Sequence, residues 1–481
     1  MEAQITEDKM KESRAVVKAQ NLSFKYMEST EGISDINFEI NKGEIVLLTG
    51  NSGSGKSTLL KCLNGLIPSI TEGELQGFLS IDGDKTSNLK MHELNKKIGS
   101  VFQNPRSQFF TDNTTAELVF PMENYGFPKD KMEERLQELK KAFGIENLMD
   151  RNIYSLSSGE RQMVALASAV TMHQRILLFD EPSANLDYGN AMKLGRIMDS
   201  LKKKGYTIIV ADHRFYYLNG RLDKILFMED GKLTVFDNEE KFKKSGYNTR
   251  SFDIFSLNIT FSESVREKNV VAEMSDVSYK NILHDINIKL YKNEVVGLVG
   301  KNGVGKTTFA KLLCDSFKPD IGKIKKNNLP FFIMQDPDYQ LFGTSVANEL
   351  TLVKNNQKEI NEILDYLGLG PYKNKHPFDL SGGQKQRLQI AMAMLCDKEI
   401  IIFDEPTSGL DVYSMEKVAQ EIKKLRERSS VIVISHDYEF LRHVADRIVY
   451  MEEGTIKDDF ILEADAVSSL NYIFNKMEDV R

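Results

Sequence analysis

Two short segments of this 481-residue chain have the residue types and spacing that hold polyphosphates. Residues 50–57 read Gly-Asn-Ser-Gly-Ser-Gly-Lys-Ser, and residues 300–307 read Gly-Lys-Asn-Gly-Val-Gly-Lys-Thr. The glycines allow a tight backbone whose N–H groups face phosphate oxygens, and the following helix N-terminus adds positive potential. The lysine can reach the β- and γ-phosphates, and the last hydroxyl can ligate Mg²⁺. Two such loops in one chain predict two nucleotide sites.

Each loop is followed further along the chain by an apolar segment that ends in two acids, Asp180-Glu181 or Asp404-Glu405. A carboxylate at the end of a buried strand is costly unless a cation or a hydrogen bond compensates it. The aspartates are therefore predicted to support Mg²⁺, and the glutamates to polarise an attacking water. The alternative is a pair of solvated loop acids.

A third motif occupies residues 156–160 (Leu-Ser-Ser-Gly-Glu) and 380–384 (Leu-Ser-Gly-Gly-Gln). Ser-x-x-Glu and Ser-x-x-Gln are capping boxes, and each precedes an apolar stretch at helical spacing, so a plain helix start is the simplest interpretation. The same helix start also presents free N–H groups to a phosphate, so capping and binding can coexist.

The motifs recur in one order at matching intervals, which identifies an internal repeat. Equal numbers of positions separate Ser157 from Asp180 and Ser381 from Asp404. The interval between the loop lysine and the next shared glutamine is shorter in the second copy, which predicts that a peripheral β-region is reduced there.

Strands and amphipathic helices must position these motifs. Alternating apolar residues at 36–40 and 286–290 predict strands before each loop. Apolar residues at helical spacing lead to Gly144 and Gly368, each expected at a helix end. The predicted boundaries are an N-terminal tail at 1–14, a first domain at 15–236, a linker at 237–269 and a second domain at 270–481.

The bulk properties exclude several classes of protein. A net charge of −7 argues against nucleic acid as the main partner. No apolar run approaches the roughly 20 residues that cross a bilayer, and residues 1–14 lack the apolar core of a signal peptide. Cys62, Cys314 and Cys396 are too scattered for a disulfide framework or a zinc site, so buried apolar positions are expected for them. These features predict a cytosolic chain.

The motif set resembles the ATP-binding cassette (ABC) ATPases, whose signature Leu-Ser-Gly-Gly-Gln is intact at residues 380–384. Four further pairs resemble family elements: the adenine-stacking aromatic (Tyr26, Tyr279), the Q-loop glutamine (Gln103, Gln335), the D-loop aspartate (Asp187, Asp411) and the switch histidine (His213, His436). The resemblance implies an α/β fold of tandem P-loop NTPase domains. Each would have a RecA-like α/β core, a helical subdomain and a peripheral antiparallel β-region, reduced in the second.

The resemblance also implies ATP hydrolysis and a role for each motif residue. The implied catalytic residues are Glu181, Glu405, His213, His436, Gln103 and Gln335. The implied ATP contacts are Tyr26, Asn51, Ser52, Gly53, Gly55, Lys56, Ser57, Thr58, Ser157, Gly159, Glu160, Tyr279, Asn302, Gly303, Gly305, Lys306, Thr307, Thr308, Ser381, Gly383 and Gln384. The implied Mg²⁺ ligands are Ser57, Gln103, Asp180, Thr307, Gln335 and Asp404.

In ABC ATPases two cassettes close head to tail, so each ATP lies between the P-loop of one and the signature of the other. This implies one site that joins residues 50–58 to residues 381–384, and another that joins residues 300–308 to residues 157–160. ATP drives closure because it bridges both halves, and hydrolysis removes the bridge.

The site that uses the first signature departs from the family pattern at Ser158 and Glu160. Ser158 places a side chain where glycine lets the backbone approach ATP, and Glu160 adds negative charge near a polyphosphate. A milder interpretation is that Glu160 turns back to cap the Ser157 N–H. We expect unequal sites, with Glu181→Gln reducing ATPase activity more than Glu405→Gln.

The Q-loop segments 103–110 and 335–342 share the pattern Gln-x-Pro-x-x-Gln-apolar-Phe, which resembles the ATPases of energy-coupling factor (ECF) importers of vitamins and metal ions. The switch segment 211–214 (Ala-Asp-His-Arg) also resembles first halves of fused ECF ATPases. The resemblance implies a transmembrane coupling subunit, a substrate-binding membrane subunit and a peripheral location on the cytoplasmic face of the membrane. The groove candidates are Phe109, Phe110, Leu341 and Phe342, with Asp112, Asp336 and Asp338 as candidate partners for basic residues. The alternative for the aromatic residues is ordinary packing within the helical subdomain.

Two other functions stay open at this point. Tandem ABC proteins that act on ribosomes usually carry a longer, strongly charged helical insertion between the cassettes. Fused ATPases of sugar importers typically have one degraded hydrolytic site, whereas the second copy here keeps its motifs. The short mixed-charge linker and the intact second copy favour the ECF interpretation.

Overall fold

The computed structural model describes residues 15–27, 32–103, 107–257 and 269–478. They form two compact units: unit 1 comprises the described parts of Met1–Leu186 and Asn190–Phe252, and unit 2 comprises Asp187–Gly189 and the described parts of Asp253–Arg481. The predicted tail at 1–14 and residues 258–268 of the predicted linker lie outside the described residues.

Unit 1 contains two sheets. Its strands are β1 Ala15–Tyr26, β2 Gly32–Asn41, β3 Ile45–Gly50, β4 Gly73–Ile81, β5 Asp84–Lys85, β6 Ile98–Val101, β7 Ile176–Asp180, β8 Thr207–Ala211, β9 Lys224–Glu229 and β10 Lys232–Phe236. The strand orders are β2-β1-β4-β5 and β10-β9-β3-β8-β7-β6. The first sheet is antiparallel; the second is parallel except for β10, which pairs antiparallel with β9.

Helices cover the parallel sheet of unit 1 and form a helical subdomain. The α-helices are Lys56–Leu63, Leu66–Ser69, Met91–Leu94, Thr114–Asn124, Lys129–Phe143, Ser158–Val170, Tyr188–Lys203 (from Asn190 in unit 1) and Glu239–Lys243. Short 3₁₀ turns lie at Thr86–Asn88, Glu146–Leu148, Ile153–Ser155 and Tyr216–Leu218. Helix Lys129–Phe143 ends at Gly144 in the left-handed conformation (φ 58°), as its sequence pattern predicted.

The P-loop strand β3 is buried on both faces because alternate side chains enter different cores. Ile45 and Leu47 join the cluster that contains helix Ser158–Val170. Val46 and Leu48 join the cluster that contains β1, β2 and helix Lys56–Leu63. A rigid parallel sheet therefore supports the loop that follows its strand.

Unit 2 repeats this architecture. Its strands are β11 Val270–Tyr279, β12 Leu283–Tyr291, β13 Val295–Val299, β14 Ile321–Lys326, β15 Phe331–Ile333, β16 Ile400–Asp404, β17 Ser430–Ile434, β18 Arg447–Glu452 and β19 Thr455–Ile461. Its α-helices are Lys306–Leu313, Val346–Val353, Gln357–Tyr366, Gly382–Leu395, Val412–Arg426, Tyr438–Val444 and Val467–Glu478. The 3₁₀ turns are Ile254–Ser256, Pro337–Tyr339, Gly370–Tyr372, Pro377–Asp379 and Ala464–Ala466.

The peripheral antiparallel sheet differs between the units as the sequence predicted. Among the described residues, this sheet has four strands in unit 1 and three in unit 2, the latter in the order β12-β11-β14. The larger parallel-type sheet keeps six strands in both units, in unit 2 as β15-β16-β17-β13-β18-β19. The shorter segment after Lys306 therefore corresponds to a smaller peripheral sheet in unit 2, whereas the larger sheet has the same number of strands in both units.

Part of the predicted linker packs as core. Residues 237–252 belong to unit 1, where Phe242 and Phe252 are buried and Tyr247 stacks on Phe227 with ring centroids 4.0 Å apart. Cys62 and Cys396 are buried and Cys314 partly so, and burial raises the pKa of each thiol. Among the described residues, no helix has the length and apolarity that a membrane crossing requires.

Candidate functional site

The first P-loop has a backbone that only glycine fits at two positions. Gly50 and Gly55 have φ of 142° and 104°, in the region that side chains disfavour. A Cβ at Gly50 would lie 2.0 Å from the carbonyl oxygen of Met228. Gly300 and Gly305 repeat this conformation in unit 2, with φ of 159° and 106°. The glycines therefore set the loop shape in both units.

The loop lysines are buried and lie across their own loops. Lys56 Nζ donates hydrogen bonds to the carbonyl oxygens of Gly50 and Asn51, both at 2.9 Å. Lys306 Nζ donates to those of Gly300 and Lys301, at 2.7 and 2.9 Å. Burial lowers the pKa of Lys306 to about 8, against the opposing effect of Glu405 and other carboxylates. An arriving polyphosphate would give each ammonium group a charged partner.

The predicted Mg²⁺ ligands lie at the edge of each parallel sheet. In unit 2, Thr307 Oγ1 donates a hydrogen bond to Asp404 Oδ2 at 2.9 Å. In unit 1, Ser57 and Asp180 line one pocket. Burial raises the pKa of Asp404, and raises that of Asp180 to about 6. A hydroxyl beside a carboxylate is an oxygen donor set that fits Mg²⁺, which also relieves the burial of the carboxylate.

The two glutamates after the sheet share an unusual backbone. Glu181 and Glu405 have φ of 46° and 49°, which is uncommon for a residue with a side chain. Each is held there by its own N–H group, which donates to the carbonyl oxygen of Ala211 at 2.7 Å or of Ile434 at 2.9 Å. Strained backbone held by neighbouring strands is common where a side chain must be aimed.

Glu181 lies among the other predicted catalytic residues of unit 1. Gln103 Nε2 donates to Glu181 Oε2 at 2.8 Å, and His213 Nε2 lies 3.8 Å from Oε1. Burial, with the nearby charges of Asp212 and Asp180, raises the pKa of Glu181 to about 8. The structure thus brings together glutamate, Q-loop glutamine and switch histidine.

Glu405 is held by the switch segment of unit 2. His436 Nε2 lies 3.4 Å from Glu405 Oε1. Ser435 Oγ and the His436 N–H both donate to Glu405 Oε2 at 3.4 Å. The position of Ser435 is occupied by Asp212 in unit 1, so the two glutamates have different neighbours.

Both signature segments form the capping boxes that their sequences predicted. Ser157 Oγ accepts from the Glu160 N–H, and Glu160 Oε2 accepts from Ser157 N–H and Oγ, both at 2.8 Å. Arg151 Nη1 lies 3.7 Å from Glu160 Oε1. In unit 2, Gln384 Oε1 accepts from the Ser381 N–H at 2.9 Å. The Glu160 carboxylate is therefore turned toward the cap, as the milder interpretation proposed.

Glycines in the second signature leave space at the helix start. Apart from the adjoining residues and the nearby backbone of its own helix, a Cβ at Gly382 or Gly383 would meet nothing within 4 Å among the described residues. These glycines are therefore not required by packing within the unit, which is consistent with a role in close approach to a ligand.

The adenine-stacking candidates differ between the units. Tyr26 is partly exposed, and its hydroxyl shares a 2.9 Å hydrogen bond with Thr58 Oγ1. Tyr279 is buried and stacks on Phe317, with centroids 5.2 Å apart and ring planes at 7°. The ring of Tyr279 is therefore already engaged by a second aromatic side chain.

The D-loop aspartates are both buried acceptors. Within unit 2, the Asn302 N–H donates to Asp187 Oδ2 at 2.8 Å. Asp411 Oδ1 accepts from the Ser414 N–H at 2.7 Å and so caps helix Val412–Arg426. Capping is thus one established task of Asp411.

Four residues that shape the Q-loops were given no role by the sequence analysis, although two of them belong to its Q-loop pattern. Gln108 bridges Phe102 N–H and Ser100 O, and Gln340 bridges Met334 N–H and Phe332 O. A buried glutamate holds the next segment: Glu117 Oε2 accepts from Phe110 and Thr111 N–H groups, and Glu349 Oε2 from those of Phe342 and Gly343. Equal spacing of Gln108–Glu117 and Gln340–Glu349 was a signal in the sequence. Residues 104–106 of this pattern lie outside the described residues.

The proposed groove residues separate into two groups. Phe110 and Phe342 are 76% and 78% exposed, and Phe110 stacks on Phe120. Leu341, at 3% exposure, belongs to the core of the helical subdomain, so its assignment to a groove surface was wrong. Asp338 is already paired with Lys385 at 2.6 Å.

Comparison with known families decides the identity. The model of the ABC transporter family matches residues 33–184 and 283–408, which is more than half of the chain. The chain belongs to the ABC transporter family. A relative from Treponema denticola with the provisional name ABC transporter ATP-binding protein is 37% identical, over 96% of this chain and all of that protein. A Clostridium perfringens relative with the same kind of name is 30% identical, over 92% of this chain and 90% of that protein.

Solved structures share the tandem architecture of this ABC protein. One titled RNase-L Inhibitor has a TM-score of 0.67 at 23% identity and covers 94% of this chain and 93% of its own. A chain from a model of ribosome-bound archaeal Pelota and ABCE1 has a TM-score of 0.72 at 24% identity, and covers 95% and 80%. At these identities the likeness establishes the fold. Family membership makes this an ATP-binding, ATP-hydrolysing protein with two ABC ATPase domains.

Proposed function

We propose that this ABC protein is the ATP-hydrolysing subunit of an ECF-type importer for a vitamin or a metal-ion micronutrient. It would act from the cytoplasmic face of the membrane, bound to a transmembrane coupling subunit and, through it, to a substrate-binding membrane subunit. The observation that carries the proposal is the pair of Q-loop segments, each of which exposes one phenylalanine, Phe110 or Phe342, from a loop held by a buried glutamate.

An exposed aromatic on a rigid loop suits a partner helix. Phe110 is braced by Phe120 at a centroid distance of 5.0 Å, and Glu117 holds the Phe110 backbone. A side chain that loses little conformational entropy on binding contributes most of its buried area to affinity. The first residue of the same segment, Gln103, donates to Glu181, so a partner that shifts this loop shifts the glutamate.

The proposed hydrolysis uses the residues of each P-loop with the glutamate and histidine at the sheet edge. Lys56 and Lys306 bind the phosphates, Glu181 and Glu405 orient the attacking water, and His213 and His436 contact the γ-phosphate. Ser57 with Asp180, and Thr307 with Asp404, would hold Mg²⁺, which would supply charge neutralisation at the phosphates. The two domains would close head to tail, with residues 157–160 and 381–384 completing the opposite sites.

Action on ribosomes is the second candidate. The two solved structures described above have tandem architecture, and one of them comes from a ribosome-bound complex. Because one neighbour comes from a ribosome-bound complex, the structural comparisons favour the ribosome candidate over the ECF assignment. The names of the curated relatives support a transporter. The sugar-importer alternative has no observation in its favour.

Purification from native membranes in mild detergent, followed by mass spectrometry, tests the proposal. We expect a transmembrane coupling subunit and a small membrane protein to co-purify. The double variant Phe110→Ser/Phe342→Ser should lose both partners and keep its ATPase activity. Tyr472→Ser is the matched control, since Tyr472 is also an exposed aromatic, at 64%, on helix Val467–Glu478. Co-purification of ribosomal proteins instead would overturn the proposal in favour of the second candidate.

A further inference from the structure

A buried polar cluster in unit 1 joins the switch segment to the segment that follows the catalytic glutamate. Its members are Ser183, Asp212, Arg214 and Tyr217, all 5% exposed or less. Buried charged groups are costly unless they are paired and fully hydrogen-bonded. A cluster of this kind therefore needs a structural or functional reason.

Asp212 is the acceptor at the centre of this cluster. Its Oδ2 accepts from Tyr217 OH at 2.9 Å and from the Ser183 N–H at 3.3 Å, and its Oδ1 accepts from the Arg214 N–H at 3.0 Å. The carboxylate thereby fixes both sides of His213, which lies between Asp212 and Arg214 in the chain. His213 in turn lies 3.8 Å from Glu181.

Arg214 is the donor that closes the cluster. Its Nη2 donates to the carbonyl oxygens of Ser183 and Ala184, both at 2.8 Å, and Ser183 Oγ donates to the Arg214 carbonyl oxygen at 3.3 Å. A planar guanidinium gives such bonds a defined geometry. The residues after Glu181 and the residues around His213 are therefore cross-linked through both backbone and side chains.

In unit 2, different residues link the segment after Glu405 to the segment that contains His436. Thr407 Oγ1 donates to Asp437 Oδ2 at 2.9 Å, and Asp437 Oδ1 accepts from the Phe440 N–H at 3.2 Å. The acid stands after the histidine here and before it in unit 1. Because the acid follows the histidine in unit 2, the position before the histidine is free for Ser435, whose hydroxyl donates to Glu405. In unit 1 that position holds Asp212, and an ionised carboxylate cannot donate a hydrogen bond to Glu181.

We propose that Asp212 and Arg214 are positioning residues for hydrolysis at the first P-loop, a clamp that makes the His213 segment and the Glu181–Ala184 segment move as one body. The second P-loop instead uses the Thr407–Asp437 contact and the Ser435 donor. This proposal rests on the roles proposed above for Glu181 and His213. We therefore expect substitutions of Asp212 and Arg214 to change kcat and to leave ATP binding nearly unchanged, because neither residue belongs to the P-loop.

The test uses the full chain carrying Glu405→Gln. In this background the remaining ATPase activity is expected to come from the site that uses Glu181. We expect Arg214→Asp to lower kcat at least about tenfold while KM for ATP changes less than about threefold, since a buried donor is replaced by an unpaired charge. Arg214→Lys, the milder variant if Arg214→Asp does not fold, should lower kcat about threefold or more because one ammonium cannot reproduce the planar fork.

Transplanting the unit 2 residues separates positioning from simple destabilisation. The variant Ser183→Thr/Asp212→Ser/Arg214→Asp/Tyr217→Phe should regain kcat to within about threefold of the parent, because it rebuilds a complete network. Arg135→Met is the matched control: Arg135 also donates to two backbone carbonyl oxygens of unit 1, Val170 O and Thr171 O, and its loss should lower the unfolding midpoint with kcat unchanged.

Three outcomes would overturn the clamp: unchanged kcat in both Arg214 variants, a transplant no more active than Arg214→Asp, or an equal loss of kcat in Arg135→Met. Glu181→Gln is measured in parallel in the same background. If Glu181→Gln retains its activity, the proposed catalytic assignment fails and the clamp's role fails with it. If Glu181→Gln is inactive and the transplant is not rescued, the clamp alone fails.

Discussion

The two repeats place the same glutamate in the same strained backbone and surround it with different partners. Glu181 accepts from the Q-loop residue Gln103 and lies beside the buried carboxylate of Asp212. Glu405 accepts from Ser435 and the His436 N–H of its own switch segment. The duplicated fold therefore preserves the backbone position of the proposed catalytic glutamate more strictly than the contacts that orient its side chain. The two sites need not respond alike to the same event.

The largest expected effect separates the two glutamates. We predict that Glu181→Gln lowers steady-state ATPase activity by at least about tenfold, since loss of a general base typically costs two orders of magnitude or more. Glu405→Gln should lower it less, because in the proposed head-to-tail pairing Glu405 would serve the site that uses the altered first signature. Phosphate release at saturating ATP measures both variants. Equal losses would contradict unequal sites.

Removal of the Thr307 hydroxyl should change the metal requirement of the second site. Thr307 Oγ1 donates to Asp404 Oδ2 at 2.9 Å, so Thr307→Ala leaves the carboxylate without this donor and would remove one proposed ligand of Mg²⁺. In a Glu181→Gln background we expect the Mg²⁺ concentration for half-maximal activity to rise about fivefold or more. Thr307→Ser is the control and should behave as the parent; an unchanged Mg²⁺ titration in Thr307→Ala would remove Thr307 from the ligand set.

The buried glutamates of the two Q-loops offer a matched test of stability. Glu117→Ala should lower the free energy of unfolding of its unit by about 1–3 kcal/mol, because the Phe110 and Thr111 N–H groups lose their acceptor. Glu349→Ala should cost a similar amount in unit 2, and each Gln variant, which keeps an acceptor oxygen, should cost less. Chemical denaturation followed by intrinsic tyrosine fluorescence measures these differences. A loss in only one unit would show that the two loops are built differently.

The smallest expected effect concerns the altered signature. Glu160 already caps Ser157 and lies near Arg151, so its charge is partly compensated before ATP arrives. Glu160→Gln, which restores the family residue, should change ATPase activity by less than about twofold, in keeping with the small value of exposed ion pairs. A gain of tenfold would instead identify the Glu160 charge as the source of the asymmetry.

Much of the fold was predictable because its signals are local. The strand before each P-loop, the helix after it and the capping boxes all depend on residues close together in the chain, and the structure has each of them. The reduced periphery of unit 2 was also predictable, since the interval after Lys306 is too short for a fourth strand. The sequence allowed partial packing of the 237–269 linker but did not show which residues pack, because aromatic residues such as Phe242 and Phe252 follow no single period.

The sequence predicted which residues belong to the candidate sites, but it did not predict which of them contact one another or what packs around them. Motif order named Thr307, Asp404, Glu405 and His436, and the structure brings them together. The same order gave no sign that Leu341 is core, that Phe317 covers Tyr279, or that Asp212 and Arg214 form a buried cluster. Those facts depend on residues far apart in sequence that meet only after folding.

The amino-acid sequence alone determined that this chain has two copies of an ATP-hydrolysing ABC domain, because phosphate binding requires particular residues at fixed local spacing. Only the tertiary structure decided what surrounds Glu181 and Glu405, the proposed catalytic glutamates. The physical reason is that hydrogen bonding in a dry interior depends on which donors and acceptors the packing brings within about 3 Å, and no local pattern encodes that distance.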